Sequence, residues 1–239
     1  MREALTAWFS WHRRTQLPDY ADLLASLEAD VLADTTAERV CAVWGTCAAV
    51  SIGASSRRCR RSSRIAMTLK PAQFTSIEER YAQSNAEYRD DFMQADPAKR
   101  ARAMVKRTAS RAEWLYGDLD RSQRGTPGAV RRRLRRSTRN CAYDERRRRQ
   151  QDALRTLRAS PTAACTTPAA TTAIRAWLQR LDHSPREVYR VHAERLVQHN
   201  CRMAADLHNS TSAAQRQMAL KKLRSWASDL RALALEVSG

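Results

Sequence analysis

Residues that break helices are scarce in this chain: 6 Gly and 7 Pro among 239 residues. Set against many Ala, Leu, Arg and Gln, that scarcity favours helix over sheet. No apolar stretch approaches the ~18 residues that a transmembrane helix requires. The opening MREALTAWFSWHRR shows no positive leader followed by a sustained apolar run, so no complete secretory signal is visible. Also missing are a glycine-rich phosphate loop, a His-Glu-x-x-His zinc signature and a serine nucleophile elbow. No catalytic set is identifiable, no cofactor is called for, and the expectation is a protein that is not an enzyme. Hydrophobic residues at 43% and charged ones at 28% exclude both a mostly disordered chain and a multi-pass membrane protein.

Acidic residues are outnumbered, 25 against 43 Lys and Arg, and the formal charge is +18. Its location decides its meaning. Arg57–Lys70 carries +6 and Arg121–Gln150 carries +10, which leaves +2 for the other 195 residues. The body of the chain is therefore near neutral, and the basicity belongs to two inserts. Both mix Arg, Ser, Thr, Cys and Gly without a convincing apolar face, as a solvated loop or irregular helix would. Their abrupt borders also fit compensated frame changes in a GC-rich gene. If instead the inserts bind phosphate, Arg131, Arg132, Arg133, Arg135 and Arg136 are the contact residues, and nucleic-acid binding through them weakens with salt.

Outside the inserts, apolar periodicity predicts helices packed as antiparallel hairpins into an irregular bundle. The expected organisation is one all-α domain over 1–239, with inserts near 45–70 and 121–143 and a loop near 159–172. Residues 2–15 form a first helix with Trp8, Phe9 and Trp11 on an aromatic side. Pro18 suits the start of a second, through Leu23, Leu24, Leu27 and Val31. Thr35 and Glu38 match a capping box. Ile77, Tyr81, Tyr88 and Phe92 share one face, and Asp96–Pro97 starts a helix whose seam is Ala101, Val105, Thr108, Ala112 and Leu115. These two segments read as a hairpin.

Further on, Leu154 and Leu157 point inward, and Ile174, Trp177, Leu178 and Leu181 resume the period. Ser184, Pro185 and Glu187 open a helix with Val188, His192, Leu196, Met203 and Leu207 inside. Ser212 and Gln215 cap a last helix with its seam on Ala219, Leu223, Trp226, Leu230, Leu233 and Val237. These last two helices read as a second hairpin.

Candidate sites are few. Cys41 and Cys47 lack zinc-knuckle spacing, Cys59 and Cys141 fall in the inserts, and Cys165 and Cys201 read as isolated thiols. An even count of six allows disulfides in an oxidising compartment without specifying a pairing. His192, His199, Cys201, Asp206 and His208 crowd one helix, but Cys201 sits off the face shared by His192 and His199, so no metal is called for. Tyr81, Tyr88 and Trp114 read as core, and Glu78, Glu79, Asp90 and Asp91 as a solvated face.

Several strings in order resemble a family of uncharacterised lipoproteins of Gram-negative bacteria, a domain of unknown function: WHRRTQLPDYADLL, SNAEYRDDFMQADPAKRARAMVKR, RAEWLYGDL, ERRRRQQDALRTLR and HNCRMAADLHNSTSAAQRQMALKKLRSWASDLRAL. The resemblance fades at 45–65, 125–143 and 159–172, partly where the basic inserts lie. It implies an all-helical envelope protein, exported and tethered by lipid on a cysteine that none of the six here matches. Because ALTAWFSWHRRTQLP resembles an internal part of that domain, an N-terminal truncation is expected. Location would then be periplasm or outer membrane by resemblance, and cytoplasm if Met1 is the true start. The resemblance carries over no catalytic residue. Trp8, Trp11, Tyr88, Trp114, His199, Asn200 and Asn209 are the candidate interaction or structural positions, and an unidentified protein is the expected partner.

Overall fold

In a computed structural model the chain is all-α. The structure describes residues 2–49, 69–125, 137–159 and 168–236, and no strand occurs among them. The stretch 50–68, Arg131–Arg136, Cys59, Cys165 and Val237 lie outside the described residues, as does the side chain of Trp8. In chain order the helices are α1 (Arg2–Ser26), α2 (37–49), α3 (Pro71–Phe92), α4 (Pro97–Tyr116) and α5 (121–125). They continue as α6 (Ser137–Arg158), α7 (Pro168–Asp182), α8 (Glu187–Asn209) and α9 (Ala213–Leu235). Contacts divide the chain into two compact units of discontinuous sequence: Met1–Ser51, Ala101–Arg133 and Val197–Gly239 in one, Ile52–Arg100 and Leu134–Leu196 in the other.

In the first unit α1 packs along α9. Its core is Val31, Ala219, Leu220 and Leu223, flanked by Leu24, Leu27, Leu115, Tyr116 and Trp226. A second cluster joins Ala109, Leu119 and Leu207. The long partner of α9 is thus α1 rather than its sequence neighbour α8, because the buried face of α9 is matched by apolar residues at the far end of the chain. Pro18 lies inside α1 instead of opening a new helix. The hydrogen bond it removes is offset by burial around it, since Leu17 is 8% exposed and Ala21 fully buried. On α4 the buried residue is Ala109, while Ala101 is exposed, so the seam of this helix is rotated and shorter than its spacing suggested. Gly117 ends α4 with φ 78°, a left-handed conformation that favours glycine. The α9 seam holds at Ala219 and Leu223 but opens to solvent by Leu233.

The second unit is centred on α6, which packs on α7 and on α3. Tyr88 and Phe92 of α3 are in ring contact, but α3 finds its partner in α6, so it does not form the expected hairpin with α4. Ile174 is fully buried among Leu157, Trp177 and Leu178. All three expected irregular stretches are helical at their described edges, the first at 45–49, which belong to α2. Residues 137–143 belong to α6, with Cys141 buried, and 168–172 form the start of α7, where Pro168 occupies a first-turn position that needs no donor. Val188, expected inside, is exposed.

Local signals at helix starts are mostly kept. The Ala98 amide donates to Asp96 Oδ1 at 2.7 Å. Gln215 N donates to Ser212 Oγ at 3.2 Å and Ser212 N to Gln215 Oε1 at 2.9 Å, a reciprocal capping box. At α2 the cap is Thr36, which accepts from Arg39 N, one residue later than expected. Thr35 is engaged elsewhere.

Candidate functional site

Two polar centres stand out, one in each unit. In the first, a disulfide joins Cys41 on α2 to Cys201 on α8 with Cα atoms 5.4 Å apart. Cys201 is therefore no isolated thiol: 160 residues of sequence separate two sulfurs that tertiary packing brings together. Two helical turns further, His208 is 7% exposed and uses both ring nitrogens. Nε2 lies 2.7 Å from the Ala33 carbonyl, which only accepts, so Nε2 carries the proton. In the neutral ring Nδ1 then accepts from the Tyr116 hydroxyl at 2.8 Å. Burial pushes the Tyr116 phenol up to about 12, which keeps it protonated as that donor requires.

Asn209 makes two 2.9 Å hydrogen bonds to the backbone of Thr35, accepting from its amide and donating to its carbonyl. Arg216 donates to the Leu32 carbonyl and pairs with Asp34. Adjacent residues of α8 and α9 thereby hold the 32–35 connection from three sides. Alongside, the side-chain amides of Gln123 and Gln215 pair with each other, and Gln123 is 4% exposed.

The second centre is built from Arg148 and Arg149, which fall at the end of the second basic window, and from Arg180 on α7. Glu145 is 1% exposed and receives a two-pronged guanidinium from Arg148 at 2.8 and 3.0 Å, plus Arg149 Nε at 3.0 Å. Asp152, 6% exposed, receives a second such fork from Arg180 at 2.9 and 3.0 Å. Burial alone would raise the Glu145 carboxyl, but hydrogen bonds from Arg148, Arg149 and Ser184 outweigh it and hold the carboxyl below its ordinary value. The Arg180 hydrogen bond does the same for Asp152 against burial. This part of α6 faces the core because each desolvated carboxylate is matched by an arginine three or four residues along α6 or facing it from α7.

Beside this network opens a cleft of about 450 Å³, walled by α3, α6 and the first turn of α8. Arg146 donates to Asn85 Oδ1 at 2.9 Å and Ser84 Oγ at 2.7 Å, and its guanidinium lies over the Tyr88 ring at 5.2 Å. Asn85 is itself held by Gln150 through two hydrogen bonds. Arg149 lies over the Tyr189 ring at 5.5 Å, and Tyr88 stacks on Tyr143. Burial raises the Tyr81 and Tyr88 phenols, so both present neutral hydroxyls.

The sequence candidates are distributed unevenly over these centres. Tyr88 joins the cleft's aromatic support and Asn209 the clamp on Thr35. Trp114, expected in the core, is 65% exposed and stacks on Trp226 at 4.2 Å. Trp11 and His199 are half-buried and Asn200 is exposed. Trp8's side chain and Arg131, Arg132, Arg133, Arg135 and Arg136 lie outside the described residues. Among the described residues no group of three or more His, Cys, Asp or Glu side chains is placed to hold a metal ion. Nor is any described helix long and apolar enough to cross a membrane.

The model of a family of unknown function, DUF6279, matches residues 1–167. The chain belongs to that family. No curated protein and no solved structure matches it. The matched span of this DUF6279 member contains Cys41, Tyr116 and the whole α3–α6 wall of the cleft, while Cys201, His208 and Asn209 lie beyond it. Sequence reasoning passed over the Glu145 network although its signal was present: Glu145, Arg148, Arg149 and Asp152 stand at the helical ion-pair spacings of three and four. The Cys41–Cys201 pairing had no such local signal.

Proposed function

We propose that this DUF6279 protein is a non-enzymatic, all-α component of the bacterial envelope that works through contacts with a protein partner or as a structural element. The observation that carries the reading is the Cys41–Cys201 disulfide, with Cys201 3% exposed. A bond of this kind persists in oxidising compartments and is reduced in the bacterial cytoplasm. The lipoprotein resemblance supports the same compartment, and an anchor and leader upstream of the sequence belong to this proposal. So does the reading of the 45–65 and 125–143 segments as frame-altered.

The second centre weighs in the same direction. Arg148 and Arg180 are spent on Glu145 and Asp152, so part of the second basic window serves internal packing rather than a nucleic-acid surface. The polar centre around His208 is likewise filled by its own partners, as befits a structural node.

Thiol trapping in cells expressing the gene from its native locus tests the proposal. The protein is expected in the envelope fraction, with two more cysteines labelled by a maleimide reagent after reduction than before. The C41S/C201S variant should lose that increment. Recovery from the cytoplasm with Cys41 and Cys201 reactive before reduction would defeat the proposal.

A further inference from the structure

The cleft of the second unit has a charge imbalance that its internal pairing leaves open. Arg146, Arg148, Arg149 and Arg180 face only Glu145 and Asp152, and Arg80 stands at the rim as a further cation. Both carboxylates are consumed by the forks from Arg148 and Arg180. Arg146 has neutral partners only: an amide oxygen, a serine and an aromatic face. Such partners orient a guanidinium without cancelling its charge.

Arg146 and Arg149 are three residues apart on α6 and so share a face. Among the described residues, Nη1 of Arg146 and both Nη atoms of Arg149 donate to no protein acceptor. Two half-buried, pre-oriented arginines that line one cavity and keep spare donors match the several acceptor oxygens of a single tetrahedral anion. The rest of the wall is Ala142, the polar Ser84 and Gln150, the arginine-paired Glu145, and the rings of Tyr81 and Tyr189. At about 450 Å³ the cavity lies in the size range of small-molecule sites, well above what an inorganic ion fills.

We propose that the α3–α6–α8 cleft binds a phosphate monoester, its dianionic head held by Arg146 and Arg149 and its organic portion laid against Tyr81 and Tyr189. The proposal does not depend on the envelope reading, since it rests on the charge and shape of this cleft alone. The phosphate ester can be a free metabolite or the headgroup of a lipid such as phosphatidic acid, and the two sources share the same recognition chemistry.

Isothermal titration calorimetry on the full chain tests this with phenyl phosphate, inorganic phosphate and succinate, beside co-sedimentation with phosphatidylcholine vesicles with and without phosphatidic acid. Phenyl phosphate is expected to bind saturably at one site, more tightly than inorganic phosphate or succinate. R149Q should weaken it at least about tenfold, equivalent to about 1.4 kcal/mol. Glu145 keeps its Arg148 fork in that variant, so the fold is retained, and an unchanged thermal melt verifies it. R80Q at the rim gives a second reading with no internal packing at stake and should weaken binding several-fold. Arg155 is 74% exposed and outside the cleft, so R155Q should bind as the parent does.

Sedimentation with phosphatidic acid vesicles that phenyl phosphate competes away would assign the site to a lipid headgroup. Binding of phenyl phosphate without sedimentation would assign it to a soluble ester. The proposal falls if phenyl phosphate shows no saturable binding, if R149Q and R80Q bind like the parent, or if succinate binds equally well. It also falls if a single-stranded oligonucleotide outcompetes phenyl phosphate at these arginines.

Discussion

Breaking the Cys41–Cys201 bond is the perturbation with the largest calculable effect. The bridge closes a loop of 160 residues, and the loop-closure entropy it removes from the unfolded chain corresponds to about 5 kcal/mol at 25 °C. That figure is a ceiling, because residual structure in the unfolded chain already restricts the loop, and measured values more often fall at about 2–4 kcal/mol. Cys201 is 3% exposed and its neighbours Met203 and Ala205 are also buried, so serine at position 201 adds a desolvated hydroxyl. C41A with C201A avoids that second effect and isolates the cross-link. Urea titration followed by circular dichroism, on the parent with and without reductant and on the double variant, should place reduced parent and variant together, both about 2–4 kcal/mol less stable than the oxidised chain. If reductant leaves the midpoint unmoved while thiol counting shows the pair reduced, the cross-link does not hold α2 to α8 in the way described.

Two further outcomes follow from the second unit. Ile174→Ala, at a site with no exposed surface, should cost about 3 kcal/mol in a thermal or urea melt, and a loss under about 1 kcal/mol would mean that the Leu157–Trp177–Leu178 cluster does not close around it. The acid limb of stability should also carry a signature of Glu145 and Asp152, whose folded carboxyls are held below their ordinary values of 4.5 and 3.8. A depressed folded pKa contributes stability that is complete above the unfolded value and is lost as pH falls through the folded one. Urea midpoints should therefore be flat from pH 7 to about 5 on account of these groups and drop below about pH 4. E145Q should cost about 3 kcal/mol at neutral pH, because it leaves Arg148 without half of its counter-charge, and should flatten the drop. An acid limb unchanged in E145Q would contradict the pairing.

Helical class was legible from the sequence alone, because it follows from local properties: few Gly and Pro, strong helix formers, and apolar residues repeating at three and four. The capping box at Ser212 and Gln215 and the Asp96 cap were legible for the same reason, since each involves groups within three residues of one another. So was the burial of Ala219, Leu223 and Ile174, each a member of a periodic apolar run. Only tertiary structure decided which faces meet. Periodicity marks a face as apolar without naming its partner, and so α9 lies along α1 and the helix with Pro18 stays continuous.

The functional centres were hidden for a related reason. Charge counting along a sequence treats Arg146, Arg148 and Arg149 as like charges to be kept in water, yet Glu145, Asp152, Asn85 and Tyr88 convert them into half-buried, oriented groups. Cys41 and Cys201, and the Ala33, Tyr116 and His208 contacts, join residues up to 175 positions apart. Hydrogen bonds and disulfides act over a few ångströms of space, and along an all-helical chain that proximity is set by how the helices pack.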